Sequence, residues 1–332
     1  MKSVCQVQIS GVGCYVPDRI LTNQDLSRIV DTTDEWILQR TGISERRIVD
    51  KGKATSFMAE QAIRRLCDSV ALDFDDIEML IVATVTPDMF FPSTACLVQE
   101  RLGIRKTWGF DLSAACCGFV YALSVGAAFV SSGSHSKVVV AGADTMSSII
   151  DYEDRATCVI FGDGAGAVLL EPARKTENSF IDFYHELDGS GGVYLNMPAG
   201  GSLLPASCET VKNRLHYVKQ EGQAVFTFAT RKMEEASRVI LEKNQLTPSD
   251  IRLLLPHQAN ARIIRGTAER LGLREDQVIL NLNKYGNTTA ATIPLAMQDA
   301  LADGRLREGD VVLLASVGAG FTVGTALLRW AF

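Results

Sequence analysis

Three short stretches carry residue types that could do covalent chemistry. The first, Asp111-Leu112-Ser113-Ala114-Ala115-Cys116-Cys117-Gly118-Phe119, runs from the end of an apolar strand through small side chains into a helix expected over 120–130. A cysteine at a helix N-terminus lies in the partial positive charge of that end, which favours the thiolate and lowers its pKa. Such a thiolate is a nucleophile, and its small neighbours leave room for a carbonyl group. A pair of buried structural cysteines is the other reading of the same segment. The second stretch, Leu255-Pro256-His257-Gln258-Ala259-Asn260, again ends a strand and opens a helix, with His257 in the loop between. His135, His185 and His216 read as structural. In the third, Asn283-Lys284-Tyr285-Gly286-Asn287-Thr288-Thr289-Ala290-Ala291, Asn287 follows Cys116 at 287 − 116 = 171 positions and reads as its counterpart.

Residues so far apart meet only if the elements carrying them are brought together, and the order of elements shows how. Helices alternate with short apolar, β-branched runs, the pattern of an α/β protein with buried strands. That order repeats. A helix over 57–70, Asp75-Asp76-Ile77 and a strand over 79–85 are matched by a helix over 226–243, Ser249-Asp250-Ile251 and a strand over 252–255. Each series continues through a helix that closes on nearly the same words, Gln99-Glu100-Arg101-Leu102-Gly103-Ile104 and Ala268-Glu269-Arg270-Leu271-Gly272-Leu273. The glycines suit helix C-termini. Later strands over 138–141 and 311–315 keep the spacing. Two similar halves are expected, 1–172 with the cysteine and 173–332 with the histidine and asparagine, and a polar, glycine-rich surface excursion over 188–207. In a duplicated fold with a pseudo-twofold axis, matched loops face each other, so Cys116, His257 and Asn287 can converge.

Composition narrows the function classes. The 332 residues are 47% hydrophobic and 22% charged, an ordinary globular make-up. The net charge of −6 has the wrong sign for neutralising a phosphate backbone, so no nucleic-acid partner is expected. The apolar stretch over 118–130 is interrupted by Ser124 and Gly126 and is too short to span a bilayer. With no export signal in Met1-Lys2-Ser3-Val4, a cytoplasmic protein without membrane contact is expected. Eight cysteines without metal-ligand spacing, Cys5 among them, read mostly as buried free thiols. Gly162, Gly164 and Gly166 lack the spacing of a dinucleotide loop and read as a tight bend.

The words Ala114-Ala115-Cys116-Cys117-Gly118-Phe119, Pro256-His257-Gln258-Ala259-Asn260 and Gly286-Asn287-Thr288-Thr289-Ala290-Ala291 resemble the Cys-His-Asn set of the β-ketoacyl-acyl carrier protein synthase III family. The likeness extends along the chain through Asp31-Thr32-Thr33-Asp34-Glu35-Trp36-Ile37, Arg40-Thr41-Gly42-Ile43, Phe91-Pro92-Ser93, Asp154-Arg155, Phe161-Gly162-Asp163-Gly164-Ala165-Gly166 and Gly318-Ala319-Gly320-Phe321. It implies a thiolase-like duplicated fold of five layers, αβαβα. Thiolases carry a second cysteine in the C-terminal glycine loop, and 318–324 has none. Elongating ketosynthases place a second histidine where Asn287 stands. Plant-type polyketide synthases are longer and lack the words at 31–37 and 40–43.

By this resemblance Cys116 takes an acyl group from a short acyl-coenzyme A, and malonyl-acyl carrier protein then condenses with it, decarboxylating, to start a fatty acid. The substrates are the two thioesters, with no metal and no other cofactor. His257 and Asn287 would donate hydrogen bonds to the malonyl thioester oxygen. The N–H of Cys116 and one from 318–320 would serve the other oxyanion. Trp36 and Arg155 match the positions that sandwich the adenine, Arg40, Asn260 and Arg262 others at the coenzyme mouth, and Phe226 a wall of the pantetheine tunnel. Phe91 matches a residue reaching the neighbouring acyl pocket of a homodimer. Arg262 and Arg265, i and i+3 on one helix, are the expected carrier-protein contact, supplemented by Arg270 and Lys232. Cys117, Val317, Thr227 and Glu269 depart from the family pattern. A same-fold enzyme priming a polyketide or related pathway would show the same three residues.

Overall fold

In the computed structural model, which describes residues 6–175, 177 and 179–332, two sheets share one design. The first is built from β1 (Val7–Tyr15), β2 (Met79–Ala83), β3 (Trp108–Leu112), β4 (Val138–Asp144) and β5 (Gly164–Pro172), in the order β1-β5-β4-β2-β3. The second uses β6 (Phe180–Leu187), β7 (Leu253–Pro256), β8 (Val311–Gly318) and β9 (Thr322–Arg329), in the order β6-β9-β8-β7. In both, the first two pairings are antiparallel and the next is parallel. Where the first sheet adds β3, the second has only a parallel bridge from Leu254 to Val278.

The principal helices are α1 (Thr55–Val70), α2 (Thr94–Leu102), α3 (Gly118–Ser131), α4 (Gly222–Lys243), α5 (Ala261–Leu271) and α6 (Thr292–Ala302). Strand alternation assigns them to layers. Val138 and Val140 of β4 and Val312 and Leu314 of β8 face a shared central core with Phe119, Leu123 and Ala127 of α3 and Ile293 and Met297 of α6. Val139 and Ala141 face outward onto α1 and α2. Leu313 and Ala315 face α4 and α5. The result is α1–α2, sheet, α3–α6, sheet, α4–α5: five layers, αβαβα. α3 is apolar nearly all round because it is buried between two sheets. Truncating a core side chain such as Leu123 to alanine should cost about 2–5 kcal/mol.

Several expectations change at this level. Gly164 and Gly166 do not make a bend; they lie in β5, where a Cβ on Gly166 would come within 2.6 Å of Pro294, so the glycine admits α6 against the strand. Of the cysteines, Cys14, Cys67, Cys116, Cys117 and Cys158 are buried free thiols, Cys96 and Cys208 are exposed, and Cys5 lies outside the described residues. The excursion over 188–207 is not merely external: Leu195–Asn196 pairs with Lys219–Gln220 and brings that segment back over the molecule. Among the described residues no helix is long and apolar enough to cross a membrane.

Candidate active site

Cys116 stands at the end of β3, in the single 3-10 turn Ala115–Cys117 that opens α3. The chain enters that turn through Ala115, whose φ of 48° is left-handed. Two bonds from the second sheet pin it: Ser316 Oγ donates to the Cys116 carbonyl at 2.9 Å and Thr322 Oγ1 to the Ala114 carbonyl at 3.1 Å. A Cβ on Gly318 would fall 2.8 Å from the Cys116 nitrogen, so glycine is what lets the end of β8 lie beside the Cys116 amide. The two thiols part company here. Cys117 Sγ turns inward and donates to the Thr322 carbonyl at 3.3 Å, whereas Cys116 lines the cavity.

The Cys116 thiol is not the lowered one expected at a helix start. Burial pushes it well above the ordinary thiol range, with Cys117 and Asp144 adding to the rise and its own backbone N–H opposing it. Only 8% of the residue is exposed, and desolvating a thiolate outweighs a single turn's partial charge. Burial thus favours the neutral thiol at Cys116.

His257 follows β7, and its N–H donates to the Ala315 carbonyl at 2.7 Å, which fixes the loop to β8. Burial holds the ring neutral by lowering its pKa to about 3. Nδ1 lies 2.8 Å from Thr292 Oγ1, and that hydroxyl is also 3.0 Å from the Thr289 carbonyl.

Asn287 is held from both sides of its peptide: its N–H donates to the Ile160 carbonyl at 2.9 Å and its carbonyl accepts the Gly162 N–H at 3.0 Å. Its side-chain Oδ1 accepts the Thr289 N–H at 2.9 Å. Below that turn the buried Asp144 carboxylate accepts from the Thr289 hydroxyl and, at 3.3 Å, from the Ala290 N–H. Burial raises the Asp144 pKa while these donors pull it down.

Cys116, His257 and Asn287 line one cavity of about 590 Å³, whose wall also takes in Val317, Gly318 and Phe321. Its outer part is lined by the other expected residues Trp36, Arg40, Arg155, Phe226, Asn260 and Arg262. Trp36 and Arg40 come from the helix Asp34–Thr41, and the Arg40 and Arg155 guanidinium groups both sit over the Trp36 ring, at 5.1 and 5.0 Å from its centre. Arg155 is further tied to the Asp31 carbonyl at 2.9 Å. Arg262 covers the Phe226 ring at 5.0 Å. Asn260 is the N-cap of α5: Oδ1 accepts the Arg262 N–H at 2.8 Å and Nδ2 donates to the Arg40 carbonyl at 2.9 Å.

Phe91 and Arg265 do not line this cavity. Phe91 projects from the surface, 84% exposed, and Arg265 is exposed on α5. Lys232 is no spare cation, being paired with Glu186 at 2.6 Å and Glu235 at 3.4 Å. Reading the sequence alone missed Leu195, Gln220, Met233 and Ile263 as lining residues. Met233 and Ile263 are ordinary helix positions, and Leu195 and Gln220 reach the wall through their own long-range strand pairing, which no local signal announces.

The arrangement offers a buried sulfur beside a neutral imidazole, an oriented amide and close backbone, at the end of a passage flanked by an indole and three guanidinium groups. A family model described as 3-oxoacyl-[acyl-carrier-protein] synthase III matches residues 110–189, and one for the C-terminal part of such enzymes matches 241–330. The β-ketoacyl-[acyl-carrier-protein] synthase III of Solibacter usitatus is 56% identical over 98% of this chain and 99% of its own length. That of Koribacter versatilis is 55% identical over the whole of both chains. Among solved structures, the β-ketoacyl-[acyl carrier protein] synthase III of Thermus thermophilus superposes with a TM-score of 0.91 at 43% identity, covering 98% of this chain and 99% of that one.

Proposed function

The chain belongs to the 3-oxoacyl-[acyl-carrier-protein] synthase III family, and from that premise we propose that Cys116, His257 and Asn287 carry out the family's decarboxylative condensation within the thiolase fold. The enzyme is an acyltransferase that joins a short acyl-coenzyme A primer to malonyl-acyl carrier protein and so initiates fatty-acid synthesis. The convergence of those three side chains on one cavity, behind Trp36 and Arg155, is the observation that carries the assignment of roles.

Cys116 sulfur attacks the primer thioester carbonyl; the thiol proton leaves with the coenzyme A sulfur, and the acyl group stays on Cys116. Malonyl-acyl carrier protein then loses carbon dioxide. The electron pair of the broken carbon–carbon bond forms an enolate whose carbon attacks the acyl-cysteine carbonyl, and the Cys116 thiolate is expelled and takes up one proton from solvent. Asn287 Nδ2 and a ring N–H of His257 donate to the enolate oxygen, while the Cys116 N–H serves the oxyanion on the acyl carbonyl. No net redox change occurs, so the step calls for no redox cofactor, and these hydrogen-bond donors do for the enolate oxygen what a Lewis acid would otherwise do. A neutral imidazole suits this role, because it donates without adding a buried charge.

Coenzyme A is assigned to the passage bounded by Trp36, Arg40, Arg155, Phe226, Asn260 and Arg262, and carrier protein to the Arg262–Arg265 face of α5. A homodimer fits two exposed features, the unpaired edge of β3 and the Phe90–Phe91 pair, with Phe91 entering the partner's acyl pocket. The unpaired described cysteines fit a reducing, cytoplasmic setting. A same-fold primer of a polyketide pathway is not favoured, since the two relatives at 56% and 55% identity described above are named as β-ketoacyl-[acyl-carrier-protein] synthase III. Purified enzyme given acetyl-coenzyme A and malonyl-acyl carrier protein should release carbon dioxide and form acetoacetyl-acyl carrier protein. Acyl transfer without carbon–carbon bond formation would refute the assignment.

A further inference from the structure

Two stretches of chain, 155–161 and 220–226, supply much of the wall of the passage assigned to coenzyme A. The first begins with Arg155, which stacks on Trp36. The second begins with Gln220, whose strand partner Leu195 lines the same wall, and runs on into the start of α4 at Gly222. Both stretches are tied to one carboxylate outside the cavity.

Asp151 lies four residues before Arg155 and is only 4% exposed. Its Oδ1 accepts the Glu153 N–H at 2.9 Å and its backbone carbonyl the Asp154 N–H at 3.0 Å, which closes the turn leading into the short helix Arg155–Cys158. The same two carboxylate oxygens hold Arg214, with Nε donating to Oδ2 at 2.9 Å and Nη2 to Oδ1, a bidentate, charge-assisted pair. That guanidinium keeps the Asp151 carboxyl below the usual carboxylate range, so the buried group is an anion. Arg214 belongs to the segment that returns over the molecule, six positions before Gln220. Between them the Val218 N–H donates to the Ile149 carbonyl at 2.9 Å, and Lys219 Nζ lies 3.9 Å from Asp151 Oδ2. A buried carboxylate is costly without its partner, so a segment that drifts away strands Asp151.

We propose that Asp151 is a positioning residue that sets the two walls of the passage against each other: its carboxylate fixes the turn presenting Arg155 and, through Arg214, the segment presenting Gln220 and Leu195. This rests on the assignment of coenzyme A to the passage. The wall from Leu195 and 220–226 meets the pantetheine arm, which both thioesters carry. Arg155 with Trp36 meets the adenine, which only coenzyme A carries. The Arg214 bond thus serves the arm, the turn at Glu153 serves the nucleotide, and Asp151 joins the two without touching either.

Acetyl-coenzyme A and acetyl-pantetheine, the same arm without its nucleotide, separate these effects when the rate of Cys116 acylation is measured against donor concentration. Arg214→Gln should raise the half-saturating concentration of both donors by a similar factor, about fivefold, while the maximal rate is kept, the mark of lost binding rather than lost chemistry. Arg214→Lys should recover part of that loss. Asp151→Ala, which also opens the turn, should raise the value for acetyl-coenzyme A further than that for acetyl-pantetheine. Adding Arg214→Gln to Asp151→Ala should change the acetyl-pantetheine value little, because the two side chains act as one unit. An Arg214→Gln enzyme with an unchanged value for acetyl-pantetheine overturns the proposal, as does an Asp151→Ala enzyme that treats the two donors alike. Arg155→Ala checks the passage itself. If it raises the value for acetyl-coenzyme A while Arg214→Gln raises neither, the passage stands and the role of Asp151 falls; if Arg155→Ala also raises neither, coenzyme A binds elsewhere and the assignment falls with the proposal.

Discussion

The Asn287 side-chain oxygen accepts the backbone N–H of Thr289 at 2.9 Å, so the amide presents its N–H₂ end to the cavity that Cys116 lines. A flipped amide would lose that bond and face an oxyanion with an oxygen. Asn287→Ala and His257→Ala should therefore still form acyl-Cys116 but decarboxylate malonyl-acyl carrier protein roughly a hundredfold more slowly. Single-turnover acylation and carbon dioxide release, measured separately, check this. Failure of acylation with decarboxylation intact would reverse the assigned roles.

Acetyl-coenzyme A should label Cys116 and leave Cys117 unmodified, because the Cys117 sulfur is bonded inward to the Thr322 carbonyl. Peptide mass spectrometry locates the added acyl group, and Cys116→Ala should abolish it. Since burial holds the Cys116 thiol above the ordinary range, its alkylation rate in the free enzyme should still be climbing at alkaline pH. A plateau already reached below neutrality would contradict that.

The buried neutral His257 also leaves a mark on stability. Its pKa falls from 6.5 to about 3 on folding, so the unfolded chain binds a proton that the folded one refuses as pH drops below 6.5. The contribution is present above that pH and is lost toward pH 3. Denaturant titrations of wild type and His257→Gln should thus converge by up to about 2 kcal/mol between pH 7 and pH 5, in the direction of wild type losing more. A constant difference would mean that the ring is solvated.

Phe91→Ala should change the preferred primer length while leaving the Cys116–His257–Asn287 constellation in place. Sedimentation should give a dimer for the wild type. A fully active monomer would end the assignment of Phe91 to a neighbouring pocket.

On α5, Arg265→Glu should raise the Michaelis constant for malonyl-acyl carrier protein roughly fivefold at low salt, an effect that salt suppresses. Acylation by acetyl-coenzyme A should be almost unaffected. Arg262→Glu should weaken both steps, because Arg262 also lines the cavity proposed to take coenzyme A. Unchanged kinetics for both variants would move the docking surface elsewhere.

Apolar, β-branched runs and the repeat of elements make the two matched halves legible in the sequence, the family resemblance implies the five layers, and strand ends lead to Cys116 and His257; the strand end expected before Asn287 is instead the short helix Leu282–Tyr285. The register of the repeat at the active site was not legible. Ala115 and Thr289 have φ of 48° and 49° and each opens a one-turn 3-10 helix, so Cys116 corresponds to Ala290 and Asn287 to Ser113. Asn287 enters the site from the segment before the matched turn, a displacement that backbone angles reveal and residue names do not. The direction of the Cys116 shift is illegible for a related reason: a helix start is local and readable, whereas its burial comes from β8 and β9, some two hundred positions away.

The Trp36 ring already has company, since Arg40 and Arg155 lie on it and Arg155 is anchored to Asp31. A planar base seated between Trp36 and Arg155 must exchange with that internal contact rather than fill a vacant slot. Its net affinity would then be the difference between two similar stackings, and with coenzyme A in the passage assigned to it, departure would be helped by the re-formation of the protein's own stack. For an enzyme whose first product must clear the doorway before a second, larger substrate can arrive, such an exchange would favour rapid turnover.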